Sequence, residues 1–457
     1  MLAVVLGASL LFFRGGYNIS NNGLCLNYRS LWRPVTKMTR TRTCFVAVVL
    51  GLLCFSLTGH LPLARAQPPD DIYALTLVDF DTDERYQTLR ALGLEVLDLQ
   101  ERVLLALTTA EQINALHQAG FKPQVLDIPA EIDRYYLIAQ SPAQRFASLS
   151  TSATLFPYTE GILILKGDQS EAERLSNERY FVMKLFAPLI LPSAAPSAAD
   201  GVPPFVMEEP DCRIARVVNS VSESSIREMV RDLQDDDSVP GWDAERSRYS
   251  YAPEIAVERD YIRNRMETSG LSVQYSTFSL NGTTQYNIEG TKAGADPSSD
   301  VVYIACAHYD STSNAPYTAA PGADDNASGI AGLLEAARVL APYDFRHTLR
   351  FVAFSGEEQG IYGSYYYARA ARTAGTNIGG VINLDMIAWD SNHDEALDIH
   401  AGIRSDSQAV AQAFLNAIST YGINLSPQYV TSGSTNFSDH YRFWNEGYPA
   451  FLVIEDL

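Results

Sequence analysis

Between residues 300 and 390 three apolar runs each end in side chains that can bind a cation. The run over 301–307 ends in His308-Tyr309-Asp310, and the run over 348–354 in Ser355-Gly356-Glu357-Glu358. The third, over 380–384, ends in Asp385-Met386. Between the first two lies a polar loop, Gly322-Ala323-Asp324-Asp325-Asn326-Ala327-Ser328-Gly329, that opens a helical pattern over 330–340. Continuous β-rich runs alternating with amphipathic helices are the pattern of a mostly parallel sheet buried on both faces. Such sheets bind ligands outside the carboxyl ends of their strands. The pattern therefore predicts an α/β fold, a mostly parallel central sheet flanked by helices, with these motifs converging on one crevice.

Upstream, helices are expected over 222–233 and 254–266, and antiparallel edge strands over 271–279 and 286–291. The region 70–192 reads differently. Strand over 72–78, helix over 84–92, strands over 94–99 and 103–107, helix over 110–119 and strand over 121–128 give a βαββαβ order, that of a ferredoxin-like α+β unit. The order recurs with strand 135–139, helix 143–149, strands near Leu155 and over 161–166, helix 170–177 and strand 180–191. Neither unit carries a catalytic constellation, so they are expected to form an accessory or prosegment-type region. The Ala-, Ser- and Pro-rich stretch 193–211 reads as a linker, and 212–457 as the catalytic domain.

His308, Asp325, Glu358 and Asp385 supply one imidazole and three carboxylates, a mixed N/O set that suits Zn²⁺ or a neighbouring divalent metal. Three anionic ligands suit two dications sharing a bridging carboxylate. Two metals about 3.5–4 Å apart can activate a water near neutral pH and polarise a carbonyl. Glu357 and Glu358 are adjacent, so in extended backbone their side chains diverge; one can ligate while the other serves as a general base. A single acid is more often a helix cap or a solvated charge. Four strand-end motifs together are not explained that way.

The set H-x-D, G-A-D-D-N-A-S-G, G-E-E-x-G and N-L-D-M resembles metallopeptidase family 28, co-catalytic zinc exopeptidases that include bacterial leucyl aminopeptidases and glutamate carboxypeptidases, with glutaminyl cyclases as relatives. The resemblance covers residues 212 to 457. It implies a zinc exopeptidase-like (phosphorylase/hydrolase-type) fold and two Zn²⁺ per complete domain, one held by His308, Asp325 and Asp385, with Asp325 bridging to a second that Glu358 helps hold. It implies Glu357 as general base, Asp310 as the carboxylate orienting His308, and a cis bond at Asp325–Asn326. Ser438-Asp439-His440 matches a pocket-lining motif, and 433–437 and 441–444 are candidate pocket walls. Arg404, after a strand ending at His400, is a candidate for a substrate terminus. In the family the last ligand is a histidine in a segment like N-P-x-x-H-T-x-x-D, beyond the strand at 449–454. This chain stops at Leu457 without it, so the fifth ligand is expected beyond the chain's end. His347, His393 and His400 are lone histidines and not expected as ligands.

Composition narrows the setting. The 457 residues allow two or three domains, and 46% hydrophobic content permits full-sized cores. A net charge of −20 argues against nucleic acid and anionic membrane surfaces. An export signal begins at Met38: Arg40 and Arg42 are a basic start, 44–57 an apolar core, and Ala64-Arg65-Ala66 a cleavage site. The core is short of the roughly 20 residues of a membrane span, so cleavage after Ala66 with no stable span left is expected, an uncleaved anchor being the alternative, and translation is expected to start near Met38, with 1–37 a mis-assigned extension. Of five cysteines only Cys212 and Cys306 would then remain, with Cys306 a buried free thiol. Asn281-Gly282-Thr283 and Asn424-Leu425-Ser426 fit glycosylation acceptors; Asn326-Ala327-Ser328 sits in the site and is discounted. The triple acid 235–237 reads most simply as a solvated turn, with a calcium site the weaker alternative.

The expectation is a secreted zinc exopeptidase acting on peptides, an aminopeptidase, with a carboxypeptidase, a glutaminyl cyclase or an inactive peptidase-like binding domain as alternatives. The mature protein should begin at Gln67. N-terminal sequencing of exported protein checks this, and a start at Met1 or Met38 would contradict it.

Overall fold

The computed structural model describes residues 72–100, 102–140, 145–186, 191, 212–234, 247–390 and 392–455. The expected export segment, the linker and the acidic triplet lie outside the described residues. No helix of the described residues is long and apolar enough to cross a membrane.

The first sheet is built from β1 (Ala74–Asp79), β2 (Glu95–Gln100), β3 (Val103–Thr108) and β4 (Gln124–Asp127), in the order β2-β3-β1-β4, all antiparallel. Helices α1 (Asp83–Ala91) and α2 (Ala110–Gln118) follow β1 and β3. Both start on threonine caps, and Thr109 and Gln112 form a reciprocal capping box. The second sheet repeats the arrangement with β5 (Tyr135–Ala139), β6 (Thr154–Thr159), β7 (Ile162–Lys166) and β8 (Phe181–Lys184) in the order β6-β7-β5-β8, and α3 (Gln169–Asn177) before β8. Two elements depart from the sequence pattern. The helix expected over 143–149 is a 3-10 turn of Phe146–Ser148, where the Ser148 hydroxyl donates to the Arg145 carbonyl at 2.7 Å in place of a helical ladder. The strand expected over 180–191 ends at Lys184, whose amide bonds Gly360 outside its own sheet.

After α4 (Cys212–Val218), α5 (Glu223–Leu233) and α6 (Ile255–Thr268) come the eight strands of the main sheet. These are β9 (Ser272–Leu280), β10 (Thr283–Lys292), β11 (Val301–His308), β12 (Thr348–Phe354), β13 (Asn377–Leu384), β14 (Ala396–His400), β15 (Ser426–Val430) and β16 (Ala450–Ile454). Their order is β15-β14-β16-β13-β11-β12-β10-β9. The centre, β12-β11-β13-β16, is parallel, and β9 and β10 join antiparallel at one side. Between strands run α7 (Ala327–Leu340), α8 (Tyr362–Thr373), α9 (Ser405–Thr420) and α10 (His440–Asn445).

Alternation along β11 sorts its residues between two cores. Ala305 and Ala307 pack with α5, α6, α7 and α9, whereas Ile304 and Cys306 pack with α8 and α10. Small residues let α7 lie close on the sheet: a Cβ on Gly329 would stand 2.6 Å from the Leu384 carbonyl. Cys306 is a buried free thiol.

A third core joins the front sheets to the main one. Leu77, Leu97, Leu137 and Met183 cluster with Ile361 and with Tyr441 of α10. Within it the fully buried carboxylate of Asp98 accepts from Tyr158 at 2.8 Å, from Gln100 at 3.0 Å and from the Tyr441 hydroxyl. A buried acceptor with several donors, Asn436 at 3.5 Å among them, is costly to remove, because each donor then stays desolvated and unpaired. Asp98→Ala should destabilise the chain by about 3 kcal/mol, read from urea unfolding; a loss below about 1 kcal/mol would show the contact to be solvated.

Candidate metal centre

Parallel pairing sets the site. His308 is level with Phe354 across the β11–β12 pair, and Cys306 with Asn383 across β11–β13. The residues just past these levels, His308, 355–358 and Asp385, therefore emerge together at the carboxyl edge. Asp325 joins them from the turn that opens α7. Its neighbour Asn326 caps that helix, accepting from Gly329 N at 2.8 Å and donating to the Leu384 carbonyl at 2.9 Å. That role explains why the acceptor-like triplet at Asn326 is buried. The Asp325–Asn326 bond is cis. Gly322 has φ +49°, and a Cβ there would lie 2.1 Å from the Asp325 carbonyl, so only glycine fits.

His308 Nε2 lies 3.1 Å from Asp385 Oδ1 and 3.3 Å from Asp325 Oδ1. One ligand atom from each of the three falls within 4.8 Å of the others. The second oxygen of Asp385 accepts from Ser438 at 2.6 Å, and that hydroxyl accepts from Asn383 at 2.6 Å, which fixes the carboxylate.

Asp310 acts differently from its expected role. His308 Nδ1 is 3.1 Å from the backbone carbonyl of Asp310 and 3.8 Å from its carboxylate, so the main chain orients the imidazole. The Asp310 carboxylate instead accepts from the amides of Glu357 and Glu358, each at 3.2 Å, and from Ser250 at 3.0 Å. It holds the turn on which both glutamates sit. That turn is a backbone feature that no residue spacing announces.

The charges are out of balance. Burial raises the pKa of Glu357 well above the carboxylate range, and Asp385, Asp439 and Glu358 push it further against the pull of His308. Burial and the neighbouring Asp325 do the same to Glu358. Burial alone would pull the His308 imidazolium down, but Asp385, Glu357 and Asp325 outweigh it and leave its pKa well above normal. Burial works to raise Asp325, yet His308, Arg179 and Arg248 hold it below its usual value. Glu358 Oε1 and Asp439 Oδ2 are buried with no hydrogen-bond partner. A nest of carboxylates with orphaned oxygens around one imidazole is a donor set that a divalent cation completes.

Of the other expected residues, Asp439 lies beside the cluster, its hydroxyl donor Ser364 at 2.5 Å, and burial with Asp385 and Asp310 lifts its pKa to about 7. His440 is not among the ligand atoms. It is fully buried, its Nε2 is 3.0 Å from the Thr435 carbonyl, and its ring meets Trp444 edge-on. Arg404 is engaged elsewhere, by Asp406 at 2.6 Å and the Gly447 carbonyl at 2.9 Å. Two cations went unnoticed in the sequence. Arg248 lies in a stretch without periodicity. Arg179 follows α3 in the second front sheet, with φ 70°; its charge reaches Asp325 and Glu358. The α3 end is tied to the site by Ser176 Oγ on the Glu358 carbonyl at 2.5 Å and by Thr312 on Asn177.

Residues 287–456 match the profile of Peptidase family M28. Over that segment the chain resembles peptidase family M28. Every motif described above lies within that match. A probable zinc metalloprotease of Pyrenophora tritici-repentis is 46% identical over 192 residues, 35% of this chain and 39% of the relative. Leupeptin-inactivating enzyme 1 of Streptomyces exfoliatus is 32% identical over 195 residues, 42% of this chain and 40% of the relative. The chain spans less than half the length of these curated relatives. The crystal structure of Legionella pneumophila LapA aminopeptidase superposes with a TM-score of 0.52 at 15% identity, covering 70% of this chain and 88% of that one. At that identity the likeness is one of fold.

Outside the ligand cluster, His400 is buried and accepts from Thr435 N at 3.2 Å, and burial pushes its pKa down to about 4. The unfolded chain takes up that proton near 6.5, so protonation favours unfolding between those values. His400 should thus contribute stability above pH ~6.5 that is lost toward pH ~4, on the order of 3 kcal/mol at most. The measurement is urea unfolding at several pH values in wild type and His400→Asn; identical slopes in the two would contradict it.

Proposed function

We propose that this protein is a secreted zinc-dependent exopeptidase, an aminopeptidase, that hydrolyses the N-terminal bond of peptides. The observation that carries the proposal is the convergence of His308, Asp325 and Asp385 within ligand distance of one another, beside the acid Glu357, whose pKa is raised by burial. The names of the relatives, zinc metalloproteases and a leupeptin-inactivating enzyme, agree with it.

The donor set fits the metal: His308, Asp325 and Asp385 would hold one ion, and Asp325 with Glu358 would serve a second. When bound, zinc supplies Lewis acidity to a carbonyl oxygen and to an attacking water. The chain's own residues do the rest. Glu357, held on its turn by the Asp310 carboxylate, takes the proton from the water and passes it to the leaving amine. Glu358, its carbonyl and amide both anchored, would offer its carboxylate for ligation. Asp439 and the other acids provide a negative wall suited to a free α-ammonium. The accessory sheets bring the charge of Arg179 to bear on Asp325 and Glu358, which supports a role for that region as an inhibitory or folding segment.

Arg179 also favours a second reading, in which it receives a substrate carboxylate and the protein is a carboxypeptidase. Aminoacyl-p-nitroanilides and Nα-acetylated peptides separate the two. Release of N-terminal residues, abolished by EDTA and restored by zinc, with no action on acetylated peptides, is expected. Glu357→Gln should lower kcat by about 10²–10⁴-fold while zinc content is retained. Unchanged turnover in Glu357→Gln would remove the proposed base, and absence of hydrolysis from zinc-loaded wild type would leave a binding domain.

A further inference from the structure

We propose that Arg248 is a positioning residue that fixes the separation of the two ligand-bearing loops, 308–310 and 322–325, and so sets the affinity of the metal centre. The inference rests on the metallopeptidase reading. Arg248 touches neither metal ligand nor substrate wall. It is fully buried, and each arm of its guanidinium ends on a backbone carbonyl. Nε donates to Tyr309 O at 3.0 Å, one residue past His308. Nη2 donates to Gly322 O at 2.8 Å, and Nη1 to Pro321 O and to Leu233 O at 2.9 Å.

The main chain of Arg248 makes the same bridge. Its amide donates to Ala320 O and its carbonyl accepts from Ser311 N, both at 3.0 Å. Ser311 in turn places its hydroxyl 3.0 Å from the Asp325 carbonyl. Two residues on, Ser250 donates to the Asp310 carboxylate. One short strap thus grips the loop after β11 and the loop before α7 through both backbone and side chain. Among the described residues no carboxylate lies within salt-bridge distance of this guanidinium. Its counter-charges act through space, Glu258, Asp325, Asp310 and Glu358, so the buried cation is paired with the site as a whole. Four carbonyls in different directions need the planar fork of arginine; a lysine ammonium presents three donors from one point.

The test is zinc affinity of the full chain, measured by competition with a fluorescent chelator, with KM and kcat measured alongside. Arg248→Lys, which keeps the charge and loses the fork, should bind zinc ten-fold or more weakly, and Arg248→Met at least as weakly. KM should change less than the zinc dissociation constant. Ser311→Ala removes one strut of the same bridge with little risk to folding, and should weaken zinc two- to five-fold. Arg338→Ala is the comparison for general destabilisation: it breaks contacts to Glu335 and Ser220 at the far end of α7 and should lower Tm without altering zinc affinity. Wild-type affinity in Arg248→Lys and Ser311→Ala would overturn the inference. So would an equal loss in Arg338→Ala at matched Tm. A wild type that binds no zinc overturns the metallopeptidase reading, and this inference with it; intact wild-type affinity with unaltered variants overturns this inference alone.

Discussion

One imidazole faces Asp325, Asp385, Glu357 and Glu358 at a sheet edge, with Asp310 and Asp439 close behind, and that excess of buried negative charge governs the rest of the molecule. Removing a carboxylate from water costs several kcal/mol unless a cation or fixed donors compensate. The compensation visible in the chain is partial. His308 is drawn toward its charged form, Arg248 and Arg179 lean on Asp325, and backbone amides satisfy Asp310. Glu358 and Asp439 still have unpaired buried oxygens. The fold therefore holds its acids in a state that a divalent cation would relieve, which is the condition for a binding site held in place before its ligand arrives.

Holding that arrangement makes demands far from the edge. The parallel register aligns three strand ends, and the small residues of α7 let Asp325 approach the end of β13. The front sheets are drawn in as well. They share an apolar core with Ile361 and Tyr441, and buried Arg442 donates to the Lys184 and Gly360 carbonyls. Burial lowers the Arg442 pKa to about 10, still charged at neutral pH, so it too depends on those fixed carbonyl dipoles. A region with no catalytic motif of its own is built against the elements that carry the metal-site residues.

Much of this was legible in the sequence, for a definite reason. Buried parallel strands are written as unbroken apolar runs, so β11, β12 and β13 announce themselves, and the residues that end them fall at the functional edge. The same logic gave the four-stranded units at the front, since each strand is bracketed by turn signals. What was not legible acts through space or through backbone. Asp310 holds the glutamate turn by accepting amides, a role invisible to residue spacing. Arg179 comes from a different sheet, and Arg248 works through carbonyls that any residue would supply. His440 pairs with Thr435 inside the expected pocket-wall stretch, while Arg404, expected to meet a substrate terminus, is engaged by Asp406 and the Gly447 carbonyl.

The most direct test of this account is anomalous diffraction at the zinc edge from crystals of the full chain grown with zinc. The account predicts a strong peak bounded by His308 Nε2, Asp325 and Asp385, with a second beside Asp325 and Glu358. Peaks confined to surface histidines such as His117 or His393, with none at the strand ends, would contradict it.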